Sequence, residues 1–278
     1  MLGYDVAMTA NPYPDLVREE TTHEGVTRTV FRGGTGPAVI VIHEVPGLYP
    51  EVVAFGRRLI DAGFTVYLPS LFGTPGKPFG TPYVLRSLAR ACVSREFATW
   101  ATGKTSPIVS WLRALAKDAH AACGGPGVGA VGMCLTGGFA LAMMIDDVMV
   151  APVLSQPSLP FPVTRAQRRD LGIDEATLVR VRERAAAGTC VLGLRFTHDP
   201  AVPAARFQRL REELGDRFIG VEIDSGPGNP HGIPRSAHSV LTKHLVDEPG
   251  HPTRAALDQV IDFYRTRLHP GPAATAGS

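Results

Sequence analysis

Cysteine is scarce in this chain of 278 residues: there are four, Cys92, Cys123, Cys134 and Cys190, and no two form a Cys-x-x-Cys pair. That excludes a zinc ribbon and a dithiol redox motif, and so few cysteines in so long a chain suit a reducing compartment. Uncharged apolar runs long enough to cross a bilayer are missing. So is a signal-peptide core in Met1–Leu16, which carries Asp5, Asn11 and Asp15. The expectation is a cytoplasmic protein with no membrane partner. An excess of either charge is missing too. Lys and Arg number 28 against 26 Asp and Glu, a formal charge of +2. No basic run suggests a nucleic-acid groove, and Arg168-Arg169 and Arg180 to Arg184 read as solvated helix faces. Internal repeats are absent. The one biased stretch is His269 to Ser278 (HPGPAATAGS), small and rich in Pro and Gly, expected to be a flexible tail.

What is present is alternation. At this length about three quarters of the unfolded surface can be buried, so one large core needs no staples. Thr27 to Phe31 reads as an early strand and Ala38 to Ile42 (AVIVI) as a strand buried on both faces. Strands follow at Phe64 to Leu68, Val128 to Met133, Val148 to Leu154, Cys190 to Phe196 and Phe218 to Ile223. Helical spacing marks Val52 to Ala62, Ile108 to Ala121, Thr136 to Ile145, Pro203 to Leu214 and Arg254 to Leu268. Strand and helix in turn predict an α/β fold, a mostly parallel sheet with helices on both faces, as a single domain over residues 1–268. The stretches 70–106 and 156–188 break the alternation and read as insertions over one end of the sheet. Ligands bind beyond the carboxyl ends of such strands, so chemical residues are sought just after them.

Val128 to Met133 leads into Gly132-Met133-Cys134-Leu135-Thr136-Gly137-Gly138 and then a helix. This resembles the Gly-x-Ser-x-Gly nucleophile elbow of α/β-hydrolases, with cysteine for serine. Small residues let strand and helix approach, and the helix N-terminus favours a thiolate and a tetrahedral oxyanion. Thr136 stands where the elbow has its second glycine, with Gly137 one place on. The competing reading is a buried small apolar cysteine, which is how Cys92, Cys123 and Cys190 are read. A thiol nucleophile needs a base. The chain order in such enzymes is nucleophile, acid, histidine. Asp199, in Arg195-Phe196-Thr197-His198-Asp199-Pro200, follows a strand and takes the acid position, with a turn or cap aspartate as the alternative. Two histidines follow the last strand, His231 and His238, and either is a candidate base.

These pieces together resemble the dienelactone hydrolase family, over about Ala38 to Leu268. The specific parts are His43-Glu44-Val45-Pro46-Gly47, the Cys134 elbow, His198-Asp199 and Ala237-His238-Ser239. The resemblance implies an α/β-hydrolase fold and a Cys134, Asp199, His238 triad acting on a small carboxylic ester or lactone. His238 is favoured over His231 by its local setting and its spacing to the last helix. By the same resemblance Glu44 would contact the resting thiol and help activate it, and the amides of Leu135 and Val45 would form the oxyanion hole. No cofactor and no metal are implied. Members of the family hold a substrate carboxylate with two arginines; Arg95 is the candidate for the first, and Thr242 stands where the second would be. A thioesterase or acyltransferase with the same triad, and a non-catalytic binder of a small ligand on the same fold, are the other readings. The oligomeric state is not readable.

Overall fold

A computed structural model describes residues 11–84, 86–87, 106–159 and 162–269. Eight strands form one sheet: β1 Val17–His23, β2 Val26–Gly33, β3 Ala38–Ile42, β4 Thr65–Pro69, β5 Val128–Met133, β6 Met149–Ser155, β7 Val191–Phe196 and β8 Phe218–Ile223. Their order across the sheet is β1-β2-β4-β3-β5-β6-β7-β8. β2 pairs antiparallel with both β1 and β4, while β4, β3, β5, β6, β7 and β8 run parallel.

The period of two along each central strand explains why both faces are covered. In β3, Ala38, Ile40 and Ile42 face one apolar cluster, and Val39 and Val41 the other, all fully buried. The first face receives α2 (Pro107–Cys123), α3 (Gly137–Met143), α5 (Glu175–Ala186) and α6 (Ala204–Leu214). The second receives α1 (Pro50–Asp61) and α7 (Pro252–Leu268), whose stripe of Ala256, Leu257, Val260, Phe263 and Tyr264 lies against it. A short α4 spans Arg165–Arg169. Proline at the first turn starts α1, α2 and α7, where its missing N–H costs nothing. Asp174 caps α5 by accepting from the Thr177 amide.

Three expectations need correction. Strand β1 (VREETTH) was not anticipated, because its charged sequence has no apolar alternation; it is an exposed edge strand, where charge guards against stray pairing. The stretch 156–188 is not only a cover over one end. It contains α5, which buries Leu178, Val181 and Ala185 in the first cluster and supplies the crossover from β6 to β7. The density of arginine in α5 hides this stripe: Arg182 pairs outward with Glu175 and Glu213, whereas Arg184 turns inward and donates to the carbonyls of Met144, Asp147 and Met149. The elbow helix also starts later than its spacing suggests, since Cys134–Thr136 form one turn of 3₁₀ helix before α3.

Candidate active site

Chemistry-bearing residues collect where the topology places them. Glu44 follows β3, Cys134 follows β5, Gln156 follows β6 and Asp199 follows β7, so all lie beyond the carboxyl ends of strands that neighbour one another in the sheet. Cys134 adopts φ +56°, the left-handed region that unbranched residues enter only at a cost. The neighbours hold it there. A Cβ on Gly132 would come within 2.2 Å of the Thr136 carbonyl oxygen, and one on Gly137 within 2.6 Å of Pro157 Cβ. Thr136, at the place of the expected glycine, is fully buried. Its hydroxyl accepts from the Met133 amide at 2.9 Å and lies 2.9 Å from the Ile42 carbonyl, so it ties the end of β5 to the end of β3.

Three of the candidate residues form a chain of contacts. His238 Nδ1 lies 2.6 Å from Asp199 Oδ2, and Asp199 is buried with its other oxygen accepting from the Ala201 amide at 2.9 Å. The His238 ring also contacts the Cys134 sulfur. Burial disfavours the charged ring. The interactions with Cys134 and Asp199 outweigh burial and hold its pKa well above the ordinary 6.5. His231 stands elsewhere: it is exposed, with its ring 5.2 Å from that of His251, which caps α7.

Glu44 is 2% exposed and its carboxylate accepts four hydrogen bonds, none from a cation. Oε1 accepts from the hydroxyls of Tyr49 (2.5 Å) and Thr242, and Oε2 from Ser239 Oγ (2.7 Å) and Gln156 Nε2 (3.1 Å). The expected contact with the thiol is not among them. The Cys134 sulfur instead lies 3.0 Å from Ser158 Oγ, whose own amide donates to the Cys134 carbonyl at 2.9 Å. Thr242, at the place of the family's second arginine, is thus committed to Glu44. The amides of Leu135 and Val45 have no acceptor among the described residues. Arg95 lies outside the described residues, as does Cys92.

Sequence reasoning missed several members of this neighbourhood. Gln156 accepts from the Val240 amide at 3.2 Å while donating to Glu44, so it joins β6 to the segment that carries His238. Arg206, 1% exposed, donates to the carbonyls of Asp170 (2.6 Å), Pro157 (2.8 Å), Gln167 (3.1 Å) and Ala201 (3.2 Å). It clamps the loop of Ser158 to the loop of Asp199, and burial lowers its pKa to about 10, which leaves it charged through the neutral range. Gln156 had a signal, a polar residue directly after an apolar strand, whereas Glu44 was singled out by the family resemblance. Arg206 had none, since an arginine in a helix reads as surface. Among the described residues no group of three or more His, Cys, Asp or Glu could hold a metal ion, and no helix is long and apolar enough to cross a membrane.

The sheet order, the elbow and the strand-end carboxylates define an α/β-hydrolase. The Dienelactone hydrolase family model matches residues 28–266, and the chain belongs to that family, whose reaction class is hydrolysis of carboxylic esters and lactones. Solved structures show the same fold. The chain is similar to a dienelactone hydrolase from Anabaena variabilis, at 16% identity and a TM-score of 0.60, covering 91% of this chain and 98% of that one. It is also similar to Est1E from Butyrivibrio proteoclasticus, at 13% identity and a TM-score of 0.56, covering 91% and 99%. No curated protein matches the chain.

Proposed function

We propose that this protein hydrolyses a small carboxylic ester or lactone through a covalent thioester on Cys134. The observation that carries the reading is the contact chain Asp199–His238–Cys134, built from two strand ends and a loop far apart in sequence. Asp199 accepts the Nδ1 proton of His238, which fixes the tautomer and leaves Nε2 for the sulfur. The thiolate attacks the carbonyl carbon, and the developing oxyanion takes the free amides of Leu135 and Val45. His238 then donates its proton to the departing alkoxide. A water that gives its proton back to His238 cleaves the thioester, releasing the acid and restoring the thiolate.

Glu44 supports this arrangement rather than touching the sulfur. With both oxygens saturated by donors, it anchors Ser239 and Thr242, which flank the segment just after His238. The family's role for it as a partner of the resting thiol is not needed in this reading. The chain works as one α/β-hydrolase domain with a small-molecule partner. The free state of Cys123, Cys134 and Cys190 suits the cytoplasm.

The test is kinetic and chemical. Cys134→Ala should lower kcat for a p-nitrophenyl ester by roughly 10⁴-fold or more, as loss of a triad nucleophile does. Mass spectrometry of the wild type quenched during turnover should find the acyl group on the Cys134 peptide. An acyl group on another residue, or a Cys134→Ala variant with full activity, would sink the assignment.

A further inference from the structure

The segment after β8 that carries His238 has no helix or strand of its own, so something must fix its backbone. His238 and Ser239 present two successive amides that no ladder satisfies. Both point at one atom: His244 Nδ1, 3.3 Å from the His238 amide and 3.1 Å from the Ser239 amide. The His244 amide donates back to the Ser239 carbonyl at 3.0 Å, which closes the loop. A ring nitrogen that accepts from two amides carries no proton, so His244 is neutral with its proton on Nε2.

We propose that His244 is a positioning residue for the base: its unprotonated Nδ1 holds the two amides that aim the His238 ring, and its protonation in mild acid lets them go. The inference rests on His238 being the base. The same loop bears Ser239, one of the four donors on Glu44, so the amides held by His244 also set that donor. A protonated Nδ1 would face two N–H groups with a third, and buried donors facing one another without an acceptor are strongly disfavoured.

The surroundings favour the neutral ring. Half-burial is the first cause and pushes its pKa below 6.5; Lys243 and His238 push it further, while Glu44 and Asp199 pull the other way. Phe196, edge-on with its centroid 6.1 Å away, is the apolar neighbour from β7. A depressed pKa means the holding contact is intact above 6.5 and is lost only as pH falls through the lowered value. His244 therefore sets an acid limit to activity that is separate from the titration of His238.

Two variants test this. His244→Asn offers an amide oxygen where Nδ1 stands and does not titrate. His244→Leu keeps the bulk and offers no acceptor. His244→Leu should lower kcat about 10- to 100-fold with KM nearly unchanged, since both amides lose their partner. His244→Asn should keep kcat within about threefold at pH 8 and carry its activity to lower pH than the wild type. The rate of iodoacetamide alkylation of Cys134 against pH repeats the comparison without any substrate, so it stands even if the ester reaction is misassigned. Full kcat and an unchanged alkylation profile in His244→Leu would overturn the proposal. So would an acid limb in His244→Asn that superimposes on that of the wild type.

Discussion

Replacing Glu44 with alanine tests whether the buried carboxylate is a structural hub. Its four donors come from three places: Tyr49 beside α1, Gln156 after β6, and Ser239 and Thr242 after His238. Removing the carboxylate orphans some of them. Tyr49 and Thr242 lie 3.0 Å apart and can satisfy one another in part, which spares one donor. Three remain, each costing about 1–2 kcal/mol when left unpaired in the interior, with a cavity added. The donors alone sum to about 3–6 kcal/mol before the cavity is added, a large part of the roughly 5–15 kcal/mol that holds a domain together. Glu44→Gln should cost less, about 1–3 kcal/mol, because one oxygen still accepts. Its amide nitrogen would face Ser239, which can turn to accept, and Gln156, which cannot turn without abandoning the Val240 amide. Urea unfolding followed by tryptophan fluorescence reads these values, and kcat measured below the transition reads the loss of aim at His238. A Glu44→Ala protein within about 1 kcal/mol of the wild type would refute the hub, since even one orphaned donor should cost that much.

Other outcomes follow from the same geometry. His238→Ala should slow ester hydrolysis by about 10³-fold or more, while His231→Ala should leave kcat within twofold, as its exposed ring packs edge-on against His251, away from Cys134; steady-state kinetics on both variants decides. Gly132→Ala should abolish activity and lower Tm by several degrees. Its Cβ would sit 2.2 Å from the Thr136 oxygen, and backbone rather than a flexible side chain must yield. Calorimetry and an activity assay read the two effects. Arg206→Met should destabilise by about 3 kcal/mol, because four carbonyls lose a charged donor at once. Hydrogen exchange should then quicken in the loops at Pro157 and Ala201.

The parts of this protein legible in its sequence are those where local pattern and tertiary fate agree. Ala38–Ile42, Val128–Met133 and Phe218–Ile223 are strands over the very residues their apolar runs mark. Cys134 and Asp199 could be singled out because a reactive residue after a buried strand points to one edge of the sheet. β1 and α5 were hidden for a physical reason. An edge strand and a helix with one buried face spend most of their residues on solvent, and charge masks the period. The buried polar network was hidden for another. Tyr49, Gln156, Ser239 and Thr242 lie far apart along the chain, and ordinary hydroxyls and amides carry no local mark of whom they will meet. His244 is the sharpest case, since its function is to accept from backbone amides, and backbone has no sequence.

The conformation of Cys134 limits what else could stand there. In the left-handed region a residue branched at Cβ crowds its own backbone, whereas an unbranched one fits at about 1–2 kcal/mol. Serine differs from cysteine by one atom and places it on the same torsion, so under the proposed mechanism a single substitution would exchange the attacking sulfur for oxygen. Threonine has the same hydroxyl and a methyl besides, and that methyl would force φ out of +56° and turn the side-chain oxygen away from His238. In a laboratory search for altered reactivity at this position, the backbone will have sorted the alternatives before any chemistry does: of serine, cysteine and threonine, the first two can be tried here, and the third is refused by geometry alone.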